Sequence, residues 1–443
     1  MVPRDTLVFE RWEFFYIITN ITTFSSGKRK NMIDIKTVRE NPQWIKESSR
    51  KKGAEVNVER ILELDKERRE LLSDVESVRA KKNEASKKLG QATGKEKESI
   101  IEEMRSIDSG NAENRLKEVE EELEKEMLLI PNPPFEDVLV GESDDDNEVI
   151  RKEGDIKEFS FTPKDYIQIA EDLDIIDIKR AAKVSGSRFG ILKGEGALLH
   201  LALVNLAMEV CLKHGFSPVI PPVMIRPEMM QAMGYVERGG DEIYQIEKDN
   251  LYLVGTSEQI IGPMHAGEVF ERKDLPKRYV GYSSCFRREA GSYGKDTKGI
   301  LRVHQFEKIE MFSLTNPEDS KEEHKFLLGI EEELMGMLKI PYRVIDICSG
   351  DLGDPAASKY DIEAWMPGQG EYRETHSTSN CTDFQSRRLN IRHKDGGFVH
   401  MLNGTALATG RIIIALLENN QKEDGSVIIP EVLHKYLPFK EIK

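Results

Sequence analysis

The chain has 443 residues, enough for two or three domains, and its 32% charged and 39% hydrophobic residues read as globular with one highly charged segment. A formal charge of −15 excludes a surface that binds nucleic acid everywhere and leaves room for a local basic patch. The four cysteines (211, 285, 348, 381) form no C-x-x-C pair, so neither disulfides nor a zinc site of standard spacing is expected, and a reducing compartment is implied.

In chain order, the apolar run FFYIITNITTF (14–24) is too short to span a bilayer and lacks the flanks of a signal peptide, so no membrane partner is expected. Met32 opens MIDIKTVRENPQWI, which reads as the start of a domain. Residues 1–31 then read as a poorly ordered extension or a misassigned start. From Ile61 to Leu89 apolar residues recur in steps of three and four (Ile61, Leu64, Leu71, Val75, Val78, Ala85, Leu89), with Arg68 and Lys82 filling the other seam positions. After a turn at 90–97, a second series runs Ile100, Met104, Ile107, Ala112, Leu116, Val119, Leu123. Together they predict an antiparallel helical hairpin roughly 45–50 Å long, a coiled coil folded back on itself within an arm at 32–135. Its tip carries Arg79, Lys81, Lys82, Lys87, Lys88, Lys95 and Lys97 against Glu84 and Glu96. On charge alone this is either a solvated face or a grip for a phosphate backbone.

The stretch PNPPFEDVLVGESDDDNEVIR is proline-rich and then acidic, and 136–154 is assigned as a linker. The rest, 155–443, reads as one α+β domain, an antiparallel sheet flanked by helices, with strand-like runs at 251–254, 279–286, 300–313, 342–348 and 398–402. In LRVHQFEKIEMF, alternation puts Arg302, His304, Phe306, Lys308, Glu310 and Phe312 on one face, and SCFRRE puts Arg287 beside Glu289. A salt-bridged, half-solvated sheet accounts poorly for the two phenylalanines. Guanidinium groups that grip phosphates, a ring that stacks on a purine, and carboxylates that hold an ammonium or Mg2+ describe a site for a nucleotide and an amino acid. GSYGKDT fails the P-loop spacing, and GEGALL lacks the third glycine of a dinucleotide turn.

FRRE…RVHQFEKIEMF resembles motif 2 of the class II aminoacyl-tRNA synthetases, NGTALATGRIIIALLENNQ (403–421) resembles motif 3 with Arg411, and HGFSPVIPP (214–222) resembles motif 1. Within that class the chain is most similar to the seryl-tRNA synthetase family over roughly 32–443. MIDIKTVRENPQ, the hairpin, PNPPFEDV, AAKVSGSRF, GTSEQ and ETHSTSNCTDFQSRR follow in that family's order. The resemblance implies a tRNA-binding arm and a catalytic domain that activates L-serine with ATP and loads it onto tRNA(Ser), with tRNA(Sec) a second candidate. Arg287 and Arg411 would clamp the α- and γ-phosphates and Phe306 would stack on adenine. Glu289 and the Val303 backbone would hold the base, with Arg288, Thr375 and His376 also in the ATP site. Glu374 and Ser377 would hold phosphates and the Mg2+ that arrives with ATP. Thr256 and Glu258 would receive the serine ammonium, Glu310 and Thr405 would address its amino and hydroxyl groups, and Ser257 and Arg287 would share that subsite. Arg287, Arg411 and Glu310 form the implied catalytic set.

Arg79, Lys81, Lys82, Lys87 and Lys88 would meet tRNA, motif 1 would form a homodimer, and the location would be cytoplasmic. The chain departs from the family at Thr375-His376-Ser377 and at NGTALA, and His376 reads either as a buried neighbour or as a phosphate ligand. Two rivals are an armed paralogue that charges a carrier and a non-catalytic RNA-binding scaffold. The first normally lacks the arm, and the second would have lost Arg287, Glu310 or Arg411.

Overall fold

The computed structural model describes residues 33–90, 93, 94, 97, 100, 102, 110–290 and 298–443. The extension 1–31, half of the turn at 90–97, Met104, Ile107, Lys95 and Lys295 lie outside the described residues. The arm begins with α1 (Ile35–Glu40) and α2 (Pro42–Lys51), followed by α3 (Val58–Leu89) and α4 (Gly110–Leu128). Asn57 starts α3 by accepting the Arg60 backbone N–H at 3.0 Å, and Pro42 sits at the first turn of α2, where no amide donor is needed. The seam is as expected: Ile61, Leu64, Val75 and Ala85 are buried, and Val119, Leu123 and Met127 pack from α4. Arg60–Glu122 (2.6 Å), Arg115–Glu67 (2.7 Å) and Arg79–Glu113 (3.3 Å) run up one helix and down the other, which fixes the antiparallel sense.

The arm is tied to the rest of the chain at its root. Lys52 is buried there, and its ammonium donates to the carbonyls of Asn132 (3.0 Å), Asp354 (3.0 Å) and Ala356 (2.7 Å). Asn132 in turn donates to the carbonyls of Pro355 and Cys381 at 2.8 and 2.9 Å. Burial pushes the Lys52 pKa well down, and the three carbonyls take up its N–H donors.

The large domain is built on eight strands: β1 (Glu148–Glu153), β2 (Ser217–Val219), β3 (Lys277–Phe286), β4 (Gln305–Thr315), β5 (Tyr342–Asp346), β6 (Ser358–Met366), β7 (Glu371–Asn380) and β8 (His400–Ala408). Their order is β1-β5-β6-β7-β8-β4-β3-β2, and every neighbouring pair is antiparallel except β2 with β3. Three helices, α5 (Gly194–Lys213), α7 (Ser320–Leu338) and α8 (Thr409–Asn419), cover one face, with Leu199, Leu203, Leu334 and Ile413 in one core with strand residues such as Ile362. The other face is filled at one end by Phe312, Leu314, Leu389 and Met401 and is left open at the other. The fold is therefore the α+β class with an antiparallel sheet that the sequence implies.

Two expectations need correction. Residues 148–153 of the assigned linker are β1, an edge strand pairing with β5 from Glu148↔Asp346 to Glu153↔Tyr342. Its exposed, charged EVIRKE carries no core signal because an edge strand here needs only one partner. The run 300–313 becomes a strand only at Gln305. Gly299 at φ +84° turns the chain, the Tyr166 hydroxyl accepts the Ile300 N–H at 2.9 Å, and Ile300, Leu301 and Val303 pack into the core as a bend.

Candidate active site

Above the open face lies a cleft of about 680 Å³. Arg287, Glu289, Arg302, Val303, Phe306, Glu374, Thr375, Ser377 and Arg411 line one end of it, and Thr256, Glu258, Lys308, Glu310, Asn403 and Thr405 the other. β3 and β4 pair with Phe306 opposite Cys285 and Glu310 opposite Gly281. Phe306, Lys308 and Glu310 of β4 therefore face the cleft while Ile309 and Met311 point into the helix-covered core.

At the first end, the Arg287 guanidinium lies 5.2 Å from the Phe306 ring centroid, so a flat cationic group and an aromatic face are presented together. Arg411, on the first turn of α8, sits 3.0 Å from a Glu374 carboxylate oxygen and also donates to the Glu374 carbonyl at 3.0 Å. Burial pushes the Glu374 pKa up, but Arg411, Lys359 and Arg287 outweigh it and hold the carboxyl at about 2. Its side chain stays 48% exposed toward the cleft. Glu289 has φ +53°, a conformation unusual for a residue with a side chain, and its carboxylate is 3.7 Å from Arg302.

A β-bulge explains how Glu374, Thr375 and Ser377 share this wall. The β6–β7 register runs from Ile362↔His376 straight to Glu363↔Glu374, leaving Thr375 as the extra residue and reversing the parity of the strand. His376 consequently points away from the cleft. It is buried, its Nδ1 is 2.9 Å from the Thr375 hydroxyl, and burial pulls its pKa down to about 4, which keeps it neutral. Of its two readings, the buried neighbour fits the geometry. Arg288 also lies outside the cleft walls, exposed on the opposite side of the chain from Arg287, with its backbone N–H on the Glu242 carbonyl at 2.9 Å. His304, expected beside Phe306, instead places its ring against Phe189 and Tyr244.

At the second end, Glu310 is fully buried, with the Lys308 ammonium 2.6 Å from one oxygen, Thr405 at 3.4 Å and Asn403 at 3.3 Å. A second bulge, between Ile309↔Leu407 and Glu310↔Thr405, lets both Asn403 and Thr405 face Glu310. Glu258, on the one-turn helix α6 (Glu258–Ile261), is 1% exposed and accepts a hydrogen bond from the Tyr235 hydroxyl. Burial and then the Glu310 charge push its pKa up to about 7. Ser257, also expected in the serine site, does not line the cleft and packs against Gly281 under the strand.

Tyr235, Asn403, Lys308 and Lys359 are cleft residues absent from the sequence assignment. Lys308 was legible from alternation, but Tyr235 follows a helix distant in sequence and no local pattern marks it. On the arm, Arg79, Lys81, Lys87 and Lys88 are exposed and Lys82 is half-buried on its seam side. Among the described residues no group of three or more His, Cys, Asp or Glu side chains could hold a metal ion alone. Glu374 and Ser377 fit Mg2+ only in company with nucleotide phosphates. An ionised carboxylate and a hydroxyl that line the cleft are hard oxygen donors of the kind that ion takes.

Residues 242–420 match the tRNA synthetase class II core domain (G, H, P, S and T), and residues 32–134 match the seryl-tRNA synthetase N-terminal domain. The serine–tRNA ligase of Thermobifida fusca is 47% identical over 413 residues, 92% of this chain and 97% of that one. That of Dictyoglomus turgidum is 45% identical over 423 residues, 93% and 99% of the two chains. The crystal structure of seryl-tRNA synthetase from Pyrococcus horikoshii complexed with ATP superposes with a TM-score of 0.86 at 43% identity, covering 93% of this chain and 99% of that one. The cytoplasmic serine–tRNA ligase of Naegleria fowleri in complex with AMP gives 0.83 at 34% identity, covering 94% and 99%. Arm and core match together, in one order and over nearly the full length of these relatives, and the chain belongs to the seryl-tRNA synthetase family.

Proposed function

We infer that the cleft activates L-serine with ATP to seryl-adenylate and passes the seryl group to the 3′ end of tRNA(Ser). One observation carries this reading: a phosphate-and-purine end (Arg287, Arg411, Phe306) and a carboxylate end (Glu258, Glu310) share a single cleft of about 680 Å³. An anionic nucleotide and an ammonium-bearing amino acid can then lie side by side. Serine's carboxylate attacks the α-phosphorus and pyrophosphate leaves; a hydroxyl of the tRNA's terminal adenosine then attacks the carbonyl and AMP leaves. Both steps need in-line placement and neutralised phosphate oxygens, so no protein nucleophile is required. Arg287 supplies that neutralisation at the α-phosphate and Arg411 at the γ-phosphate. Mg2+, held by Glu374 and Ser377 with the phosphates, would add Lewis-acid stabilisation of the leaving pyrophosphate. Asn403 and Thr405 address the serine hydroxyl. A pocket that hydrogen-bonds a hydroxyl rejects alanine by roughly 10⁴ or more, whereas threonine is excluded only by lack of room for a methyl, about 1–3 kcal/mol.

The arm would grip tRNA through the basic residues near the end of α3. The homodimer would form around motif 1, where Leu201 (53%), Leu212 (49%) and Ile220 (84%) are exposed beside the edge strand β2. The four buried free thiols suit the cytoplasm. Serine-dependent ATP–pyrophosphate exchange, with and without tRNA, tests the assignment. Exchange driven by another amino acid, or dependent on tRNA for activation, would overturn it. A carrier-charging relative would show exchange but no tRNA charging, and a scaffold would show neither.

A further inference from the structure

Tyr235 has no role in the reaction derived above, yet it lines the carboxylate end of the cleft and touches Glu258. It follows the helix Pro227–Met233, which stops at Gly234 in a left-handed conformation, φ +87°. A side chain at 234 would meet Phe384 at 2.7 Å, so the turn that delivers Tyr235 is set by close packing as well as by backbone freedom. The next residues are tied down in turn: Glu237 lies 3.9 Å from the buried Arg388, and Arg238 pairs with Asp354 and donates to the Lys52 carbonyl at 3.2 Å.

We propose that Tyr235 is the positioning residue of the ammonium subsite, its hydroxyl holding one oxygen of Glu258 so that the other faces the incoming serine ammonium. This rests on the function proposed above. Two features of the site support it. The second Glu258 oxygen, Oε2, is buried with no donor on it, in a pocket shared with the Glu310 carboxyl, a costly arrangement unless a cationic ligand completes it. The titratable groups facing Glu258 are Glu310 and Lys308 from β4, Tyr235 itself, and the Cys381 thiol beyond β7, which burial keeps protonated. With Lys308 on Glu310, the trio of Glu258, Glu310 and Lys308 carries one net negative charge when Glu258 is ionised, the complement of one ammonium. The Tyr235 hydrogen bond favours that ionised form, acting against burial and the Glu310 charge.

The test is Tyr235→Phe in the full-length protein, read by ATP–pyrophosphate exchange across serine concentration and pH. Serine KM should rise about 10-fold at pH 7 while kcat and ATP KM change less than about 2-fold. The KM ratio of variant to wild type should be larger at pH 6.5 than at pH 8.5, because Glu258 then protonates at higher pH. A merely structural role would lower the melting temperature and move ATP KM together with serine KM, with a ratio independent of pH. That result, or an unchanged serine KM, overturns the proposal. Absence of serine-dependent exchange in the wild type would instead overturn the functional assignment.

Discussion

Two carboxyl groups in one cleft are driven in opposite directions by what surrounds them. Glu374 stands among Arg411, Lys359 and Arg287 and is held low, at about 2, so it is ionised at every working pH. Glu258 stands in a nearly closed pocket beside Glu310 and is pushed up to about 7. Such divergence is the mark of a site whose groups have separate tasks. Arg287→Ala should lower adenylate formation by about two to three orders of magnitude, as for loss of a transition-state donor; exchange at wild-type rate would remove Arg287 from the chemistry.

For Glu258 the consequence also reaches stability. A carboxyl raised from 4.5 to about 7 favours the folded state fully below pH 4.5 and progressively withdraws that contribution as pH rises through 7. Glu258→Gln should therefore melt higher than wild type at pH 8 and close to it at pH 5, while its serine KM rises sharply. Calorimetry at the two pH values decides it, and a variant equally destabilised at both would refute the buried-charge account. Arg287, Phe306 and Glu310 were legible in the sequence because charge coincides with alternation along β4 and at the end of β3. Tyr235 and Asn403 were not, because their roles depend on contacts made across distant segments.

At the level of elements, one strand that builds a wall of the cleft carried no readable pattern. β7, EYRETHSTSN, has no hydrophobic alternation because one of its faces lines a polar cavity, and its bulge at Thr375 reverses the parity that alternation assumes. The arm was the most legible element, since a heptad seam reports its partner helix directly. β3 carries a different kind of information: Gly281, opposite Glu310, lies directly against α6. A Cβ there would sit 2.5 Å from the Ser257 hydroxyl and 2.7 Å from Ile261. Gly281→Ala should cost about 1–3 kcal/mol through overpacking and should displace α6, raising serine KM more than ATP KM. Denaturant unfolding and exchange kinetics on the same variant check both parts, and an equal rise in the two KM values would mean that the strain spreads beyond α6.

Across the whole molecule, the proposed function places activation in the cleft and RNA capture on the arm. Removing about 60–120 should abolish tRNA charging and leave serine-dependent exchange within about 2-fold; undiminished charging would make the arm structural. Introducing charge at Leu201 and Ile220 together should yield monomers by light scattering, and an intact dimer would move the interface elsewhere. The 32 residues of α3 make a lever roughly 48 Å long at 1.5 Å per residue, and its fulcrum is the buried Lys52 ammonium with its three carbonyls. A change of only ~5° at that pivot would swing the far end by ~4 Å, more than the reach of a hydrogen bond. Aim along a lever of this length is set at its base. Lys52→Ala should therefore blur where the tip points, weakening tRNA charging although no RNA-facing residue has been touched and exchange continues.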